Sequence, residues 1–388
     1  MESFLKLVAA DLYKHTEGNL AHTAVVFPNK RAGLFFNEYL AQESDSPIWS
    51  PAYVSISELF RSLSPWEVGD PVKLVCELYK IFRRETQSTE TLDDFYFWGE
   101  MLISDFDDAD KNRVDTDKLF SNLQDLRNIM DDYTFIDDEQ EEAIRQFFQN
   151  FSIERRTALK ERFISLWNVL GNIYKGFRES LASQNIAYEG MMYRHVIEHL
   201  DVDKLPYEKY IFVGFNVLNK VEHTLFTQLK DAGKAVFYWD YDEFYMKENH
   251  EAGEFIRRNL RDFPSPLSGE LFKNLSKPKE VHYIASSTEN AQARYLPQWI
   301  RNNLTTPEKE TAVVLCNEAL LQPVLHSLPA EVKHVNITMG FPLSQTPVYS
   351  FLIALLELHT HGFNFKSGRY TFQSVVTLLK HPYTRQLT

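Results

Sequence analysis

The sequence has few of the residues that build disulfides, cysteine metal sites or membrane spans. Its two cysteines, Cys76 and Cys316, lie far apart and outside any CxxC pattern, so neither a disulfide framework nor a cysteine metal site is expected. No apolar run approaches the roughly 18 residues of a membrane-spanning helix. The N-terminal stretch Met1–Tyr13 is typical of an amphipathic helix and not of a signal peptide. We therefore expect a cytoplasmic protein without membrane partners.

Glycine is also scarce, with 14 residues in a chain of 388. A phosphate loop needs glycines whose backbone amides wrap the phosphates, followed by a Lys and a Ser or Thr. The sequence has no GxxxxGK[ST] motif, and its only Gly-Lys pair, Gly233-Lys234, leads into an apolar strand pattern. We expect no intact ATPase site. An ATPase with an unrecognised phosphate loop and Asp240 as its metal ligand remains an alternative.

Three patterns of metal chemistry are incomplete. His195–His199 spells HxxEH, a zinc-binding spacing, but no third ligand is evident and a solvated helical face is the better interpretation. A calcium loop starting at Asp108 would place Arg113 where the turn needs Gly. A PD-(D/E)xK nuclease core is excluded because the chain has no Pro-Asp dipeptide, so Glu331–Lys333 is interpreted as a solvated turn. We expect no catalytic residue, metal or cofactor in this chain.

The net charge of −13 is unevenly distributed. Between Thr91 and Glu142, 17 Asp and Glu accompany 4 Lys and Arg, which leaves 37 residues of each sign elsewhere. Phosphate binding depends on local cations, so the overall charge does not exclude nucleic acid. The acidic segment leaves a second alternative open, a protein-interaction module that docks a basic partner without contacting DNA.

The stretch Thr23–Leu40, TAVVFPNKRAGLFFNEYL, combines a buried strand with a helix. An apolar run at Ala24–Phe27, too short for a helix, stops at Pro28, and the spacing then becomes helical. Ligands bind at the carboxyl ends of parallel strands. The loop after this strand carries Asn29, Lys30 and Arg31, which are therefore candidates for a binding site. The alternative is that Lys30 and Arg31 only complement nearby acids.

After this first strand and helix, the sequence predicts a long helical region and then strands that alternate with helices. From Pro71 to about Leu200 the pattern is helical throughout, and no strand is expected there. Strands alternating with helices predict parallel sheets built from βαβ units. The predicted strands outside the first unit are Ala52–Val54, Tyr210–Val213, Ala235–Trp239, Val281–Ala285 and Ala312–Leu315.

Five stretches together resemble one family. They are TAVVFPNKRAGLFFNEYL, DDFYFWGEMLISDFDDADKNRVDTDKLF, NIAYEGMMYR, YIFVGFNVLNKVEHTLFTQL and VNITMGFPLSQTPVYSFLIALLELH. In this order they resemble the N-terminal half of the AddB/RexB-type subunit of bacterial helicase–nucleases, in the Bacteroidetes-like version with a degenerate helicase region. The likeness runs from about residue 20 to the end of the sequence.

The resemblance implies an α/β fold of superfamily 1 helicase type with an inactivated motor. Two RecA-like parallel-sheet lobes are expected, with a large all-helical insertion in the first lobe. The expected boundaries are residues 1–65 and 203–264 for the first lobe, 66–202 for the insertion, 265–278 for a proline-containing hinge, and 279–388 for an incomplete second lobe.

By the same resemblance, the loop at residues 29–31 corresponds to a motif that touches single-stranded DNA. Ser286, Ser287 and Thr288 lie near another helicase motif, without the arginine that would reach ATP, and complete the set of DNA-contact candidates. Gly214, Phe215 and Asn216 stand where active relatives keep Asp-Glu, and Asp240 lies in a degenerate motif nearby. We expect these four positions to mark a lost nucleotide site.

The function implied is that of a non-catalytic, helicase-like scaffold in DNA double-strand-break processing and homologous recombination. Its expected partners are single-stranded or broken duplex DNA and an AddA-type helicase–nuclease subunit. A C-terminal PD-(D/E)xK nuclease domain, often with an iron–sulfur cluster, is expected beyond the region seen here. The full-length protein would then be an exonuclease subunit, while this region has no enzymatic site of its own.

Overall fold

The computed structural model describes residues 3–16, 18–122, 158–247, 250–303 and 308–384. The chain divides into two compact units, Met1–Pro278 and Lys279–Thr388. The first unit is a mixed α/β fold with a four-stranded parallel sheet.

The first unit alternates strands and helices at both ends, and the residues described in between are mostly helical. Its described strands are β1 (Thr23–Phe27), β2 (Ala52–Ser55), β3 (Glu67–Val68), β4 (Ile186–Ala187), β5 (Lys209–Val213) and β6 (Ala235–Tyr238). Its described α-helices are α1 (Phe4–Thr16), α2 (Lys30–Gln42), α3 (Ile56–Leu63), α4 (Pro71–Thr86), α5 (Leu92–Lys111), α6 (Thr116–Asn122), α7 (Ala158–Ser183), α8 (Glu189–His199), α9 (Lys220–Asp231) and α10 (Glu254–Asp262). The four strands that the sequence predicts in this unit are confirmed to within one residue at each end.

β1 is a buried inner strand of the sheet. Every residue of β1 is buried, as expected for a parallel sheet covered on both faces. Ala24 and Val26 face one hydrophobic core, and Val25 and Phe27 face the other, because successive side chains of a strand point to opposite faces. β1 is accordingly a central strand in the order β2-β1-β5-β6.

Helices cover both faces of this sheet. α1 and α2 pack on one face through Val8, Leu12, Phe36 and Leu40, and α3 and α9 pack on the other. The helices that follow β1 and β5 therefore leave the sheet on opposite sides. In an open parallel sheet this reversal produces a crevice at the carboxyl ends of the two strands.

The helices α4, α5, α7 and α8 belong to the same core as one face of the sheet. α3 meets α8 where the rings of Phe60 and Tyr193 stack, with their centroids 4.0 Å apart. One continuous hydrophobic core runs from β5 through α8 and α7 to α4. These helices therefore form a layer on the sheet, and their interpretation as an insertion of helicase type remains a prediction.

A short parallel ladder joins the two ends of the helical layer. Glu67 of β3 pairs with Ile186 of β4, and Val68 pairs with Ala187. The prediction that no strand interrupts the region from Pro71 to about Leu200 is therefore wrong at β4. A strand of two residues is too short to show the alternation by which strands are recognised in a sequence.

A buried carboxylate connects three helices of the layer. Asp110 on α5 has no exposed surface and accepts hydrogen bonds at 2.5 Å from the hydroxyls of Tyr174 on α7 and Tyr188 just before α8. The guanidinium groups of Arg178 on α7 and Arg194 on α8 each lie 3.2 Å from the same carboxylate. Burial, with the nearby carboxylate, raises the pKa of Tyr174 to about 12 and that of Tyr188 well above its ordinary range. Both hydroxyls therefore remain donors, and four donors offset the cost of burying the charge.

α5 and α8 approach each other closely at Gly190. A Cβ atom at this position would overlap the backbone of Asp107, and the Gly190 amide donates a hydrogen bond to Asp107 Oδ1 at 2.5 Å. Lys111 Nζ lies 2.8 Å from Asp107 and 2.9 Å from Glu189. Any side chain at position 190 would push the two helices apart, so glycine is required there.

The described part of the second unit contains helices and one hairpin. The α-helices are α11 (Glu289–Asn303), α12 (Leu321–Ser327), α13 (Pro347–Thr360) and α14 (Phe372–Lys380), and the antiparallel strands are β7 (Phe363–Asn364) and β8 (Arg369–Tyr370). α11 packs on α12, and α13 packs on α14.

The strands expected at Val281–Ala285 and Ala312–Leu315 are not formed. Neither stretch pairs with a described strand, and Tyr283 and Val314 are 95% and 82% exposed. Their β-branched and aromatic residues suit a strand, but a strand also needs a neighbouring backbone to exchange hydrogen bonds with. A RecA-like second lobe over residues 279–388 therefore remains a prediction.

We expect Asp110→Asn to lower the free energy of unfolding by about 3 kcal/mol, because two guanidinium groups would lose their anion. The figure is at the low end for a broken buried ion pair, since Arg178 and Arg194 are both partly exposed. Chemical denaturation followed by circular dichroism measures the change. Asp108→Asn, at an exposed position of the same helix, is the matched control and should change stability by less than about 0.5 kcal/mol. Equal effects of the two substitutions would contradict a structural role for the Asp110 cluster.

Candidate functional site

The loops that follow the four parallel strands emerge at one edge of the sheet, because the strands share one direction. This carboxyl edge carries the loop after β1, the start of α3 after β2, the loop after β5 and the loop after β6. The sequence-predicted residues located there are Asn29, Lys30, Arg31, Gly214, Phe215, Asn216 and Asp240.

Asn29 is the N-cap of α2. Its side-chain oxygen accepts hydrogen bonds from the backbone amides of Arg31 at 3.1 Å and Ala32 at 3.2 Å, which satisfies two of the amides that every helix start leaves unpaired. The amide of Asn29 therefore positions the helix. The capping oxygen is thus already occupied by two backbone amides. The role of Asn29 as a direct DNA contact remains a prediction.

Lys30 forms an ion pair with Glu58 of α3. Glu58 also closes a capping box, because its Oε2 accepts from the Ser55 amide at 2.9 Å while Ser55 Oγ accepts from the Glu58 amide at 3.2 Å. The bond to Lys30 and then the bond to Ser55 lower the pKa of Glu58 to about 2. Half of the cationic charge expected at this loop is thus balanced by a fixed carboxylate.

Glu58 was not among the site residues predicted from the sequence. The signal was present as Ser55-Ile56-Ser57-Glu58, a Ser-x-x-Glu capping box directly after a strand. That motif would have placed the carboxylate in the first turn of α3. It would not have shown that α3 begins beside α2, which depends on the pairing of β1 with β2.

Arg31 is exposed in the first turn of α2. Within the described ranges of the chain, no carboxylate lies at ion-pair distance from its guanidinium group. A helix N-terminus carries a partial positive charge, which favours acids there and disfavours cations. α2 nevertheless has no acid in its first turn, so positive potential accumulates at this point of the edge.

A cleft of about 400 Å³ lies beside the loop, between α2 and β2. Phe27, Leu34 and Tyr53 contribute its apolar walls, and Lys30 and Glu58 contribute charge. The Tyr53 hydroxyl donates to the side-chain oxygen of a neighbouring asparagine on α2 at 3.1 Å, and burial raises the pKa of Tyr53. The cleft combines apolar surface with hydrogen-bonding groups, as small ligand sites do.

The loop after β5 has a structural explanation. Gly214 has φ +75°, a conformation that side chains disfavour, and the turn directs Phe215 into the core, where it is buried. The Asn216 carbonyl accepts a hydrogen bond at 2.6 Å from the side chain of Asn259 on α10. These contacts hold the loop in a turn at the position where an active motor of the resembled family would carry Asp-Glu.

The loop after β6 carries one carboxylate near the surface. Neighbouring protein atoms partly desolvate the Asp240 carboxyl and raise its pKa, although the residue reaches solvent. Asp242 is used differently, since it accepts from the backbone amides of Asn274 and Leu275 at 2.8 Å. Among the residues that the structure describes, no cluster of three or more His, Cys, Asp or Glu is arranged to hold a metal ion.

Ser286, Ser287 and Thr288 belong to the second unit and precede α11. The Thr288 hydroxyl accepts from the Ala291 amide at 3.1 Å, so Thr288 caps the start of that helix. Ser287 is exposed and Ser286 is half-buried. Their predicted role in DNA contact remains a prediction.

The HxxEH stretch on α8 is not arranged as a zinc site. His195 stacks on Trp66 with ring centroids 4.2 Å apart, and Glu198 forms an ion pair with Arg194 at 3.0 Å. Burial, and then the neighbouring His199, lower the pKa of His195. The geometry fits the interpretation as a packed and solvated helical face.

We expect Lys30→Met to raise the pKa of Glu58 from about 2 towards its ordinary 4.5, without reaching it, because the bond from the Ser55 amide remains. Carboxyl NMR titration measures this change. The lowered pKa stabilises the folded state above about pH 4.5, and this stabilisation is lost as the pH falls towards 2. Lys204→Met, which removes the partner of Asp201, is the matched control. An unchanged Glu58 pKa in Lys30→Met would show that the ion pair does not form in solution.

Comparison with known proteins identifies no family for this chain, so its function has to be inferred from the geometry of the site. In the described part of the chain, no helix has both the length and the apolar composition needed to cross a bilayer. No protein-family model matches the sequence, and no curated protein matches it either.

Proposed function

We propose that this chain is a non-catalytic, helicase-like scaffold of a DNA double-strand-break processing complex of the AddAB/RexAB kind. It binds or guides single-stranded DNA at the carboxyl edge of the parallel sheet and holds an AddA-type helicase–nuclease subunit. The observation that supports the proposal is the pair of exposed cations, Lys30 and Arg31, in the first turn of α2 at this edge.

Two cations at a helix N-terminus suit a phosphate ligand. The dipole of the helix attracts anions, and Lys or Arg at the helix start adds charge that displaces counterions from a nucleic-acid backbone. Arg31 has no carboxylate partner within the described residues. It supplies the larger share of the net positive charge at this loop, because Glu58 balances Lys30. The overall charge of −13 does not oppose this, since its excess acid lies in residues 91–142.

The exposed face of α2 also offers surface for bases. Phe35 lies one helical turn beyond Arg31 and is 45% exposed, and Leu34 beside it is 73% exposed. An aromatic ring next to a cation is the combination by which proteins hold single strands, the cation on a phosphate and the ring on a base. We therefore propose that a single strand crosses the start of α2 with a phosphate at Arg31 and a base on Phe35.

The arrangement of the sheet and its helices is consistent with the proposal. A parallel sheet with helices on both faces and binding loops at its carboxyl edge is what a RecA-like lobe requires. The helical layer over residues 66–202 would be the insertion, and residues 279–388 would contribute to the second lobe. Cytoplasmic location, a role in homologous recombination and a C-terminal nuclease domain are parts of the same proposal.

An active ATPase is the competing function, and Asp240 is the observation that favours it. A carboxylate at the carboxyl end of a parallel strand is where a magnesium-binding acid belongs. Isothermal titration with ATP and magnesium distinguishes the two functions. Tight binding that Asp240→Ala abolishes would replace the scaffold proposal by an ATPase.

We expect Lys30→Glu/Arg31→Glu to weaken binding of a fluorescent single-stranded oligonucleotide by at least about tenfold. The dependence of affinity on salt should also become shallower, by about 0.7 in log–log slope for each phosphate that the variant no longer neutralises. Fluorescence anisotropy across a salt series measures both quantities.

Lys204→Glu/Lys209→Glu is the control for that experiment. It makes the same change of charge near the amino end of β5, at the opposite edge of the sheet. As in the tested pair, one lysine, Lys204, is paired with a carboxylate, and the other, Lys209, donates to a backbone carbonyl instead. The control should leave the affinity within about twofold of the original protein. Equal losses in the two variants would mean that the interaction depends on overall charge, and no loss in either would place the DNA elsewhere.

We expect Glu58→Gln to strengthen single-strand binding several-fold and to steepen its salt dependence, because Lys30 would lose its competing anion. Glutamine keeps an oxygen for the Ser55 amide, so the capping box is retained. Glu38→Gln, at an exposed position of α2, controls for the loss of one negative charge. Weaker binding by Glu58→Gln would show that the Lys30–Glu58 pair is needed intact.

A further inference from the structure

α5 exposes large apolar side chains on the face turned away from its core. Phe95 and Phe106 point inward and are buried. Phe97, Trp98 and Met101 are 65%, 58% and 44% exposed. These three residues are called the α5 patch.

The α5 patch is contiguous. The rings of Phe97 and Trp98 contact each other edge to face, with centroids 5.9 Å apart. Met101 lies four residues after Phe97 and therefore one turn along the same ridge of the helix. Single exposed apolar residues are common on protein surfaces, but three adjacent large ones indicate an interface.

Carboxylates surround the α5 patch. Lys111, the only cation of α5, is occupied by Asp107 and Glu189. Partial burial, and to a smaller extent the neighbouring Asp108, raise the pKa of Asp105. The exposed acids of α5 on the turns next to the patch are Asp93, Asp94, Glu100, Asp105 and Asp108, of which Asp94 closes the capping box with Thr91.

We infer that the α5 patch docks a basic amphipathic helix of another protein. A ridge of side chains four residues apart is what a second helix accommodates between its own ridges. The acidic residues on both sides would pair with Lys or Arg flanking the apolar stripe of that partner, as the flanking charges of a coiled coil do. Apolar contact would supply affinity, and charge would supply orientation and selectivity.

The acidic surroundings of the patch select against other occupants. A second copy of this chain would bring the same carboxylates into contact, and nucleic acids and acidic lipid headgroups carry the same sign of charge. The inference also stands apart from the DNA contact proposed for the carboxyl edge, since α5 lies in the helical layer.

The test uses the whole chain and three labelled synthetic helical peptides of about 20 residues. One has a leucine stripe flanked by lysines, the second has the same stripe flanked by glutamates, and the third has lysines around a serine stripe. We expect anisotropy titrations to show the lysine–leucine peptide binding at least about tenfold more tightly than either of the others. Equal binding of the lysine–serine peptide would reduce the effect to unspecific charge attraction and overturn the inference.

Variants locate the interaction. Phe97→Ser/Trp98→Ser/Met101→Ser should weaken binding of the lysine–leucine peptide by at least about tenfold. The matched control is a triple substitution by serine on α13, where three exposed apolar residues share a helix with a single carboxylate. It should leave the affinity within about twofold, and its substitutions are Val348→Ser, Leu352→Ser and Leu356→Ser.

Two further measurements separate the remaining outcomes. Asp93→Asn/Glu100→Gln/Asp105→Asn should weaken the same peptide several-fold and flatten its salt dependence. Sedimentation of the original chain should show no self-association that the α5 variant removes, since such an association would assign the patch to a second copy. Single-strand DNA binding should be retained in the α5 variant, so failure of the peptide test and failure of the DNA test are distinguishable.

Discussion

The pairing of β1 with β5 is the constraint on which the first unit depends. Thr23 lies opposite Lys209 in this ladder, so the chain between the two strands must leave the sheet and return to it in parallel orientation. A parallel connection requires a crossover, and here the crossover includes β2 and the described helices α2 to α8. The same parallel direction places the loops after β1 and β5 at one edge. The candidate site exists because two distant stretches of sequence are neighbours in the sheet.

Local patterns predicted much of this unit. The four sheet strands and the helices described between Pro71 and Leu200 were recognisable because apolar runs and helical spacing are properties of adjacent residues. β4 was not recognisable, since two residues carry no period. The stretches at 281–285 and 312–315 failed for the opposite reason: their composition suits strands, but composition does not provide a partner backbone.

The candidate site was predictable in its cations and not in their environment. Lys30 and Arg31 follow the end of a strand after only two residues, so their place at the carboxyl edge could be expected from the sequence. That Glu58 pairs with Lys30 and leaves Arg31 as the more available charge depends on how α2 and α3 are brought together. Asn29 shows the same limit, because its preference for capping is local while its consequence is the orientation of the whole first turn.

Gly190 has a consequence for how α5 is connected to the carboxyl edge of the sheet. A side chain at position 190 would not fit beside the backbone of Asp107, and the Gly190 amide donates to Asp107 Oδ1, so α5 and α8 are held in close contact. The stacked rings of Phe60 and Tyr193 connect α8 to α3. α3 in turn begins at the carboxyl edge with Glu58. Close backbone and ring contacts therefore connect α5 to that edge without a loop between them.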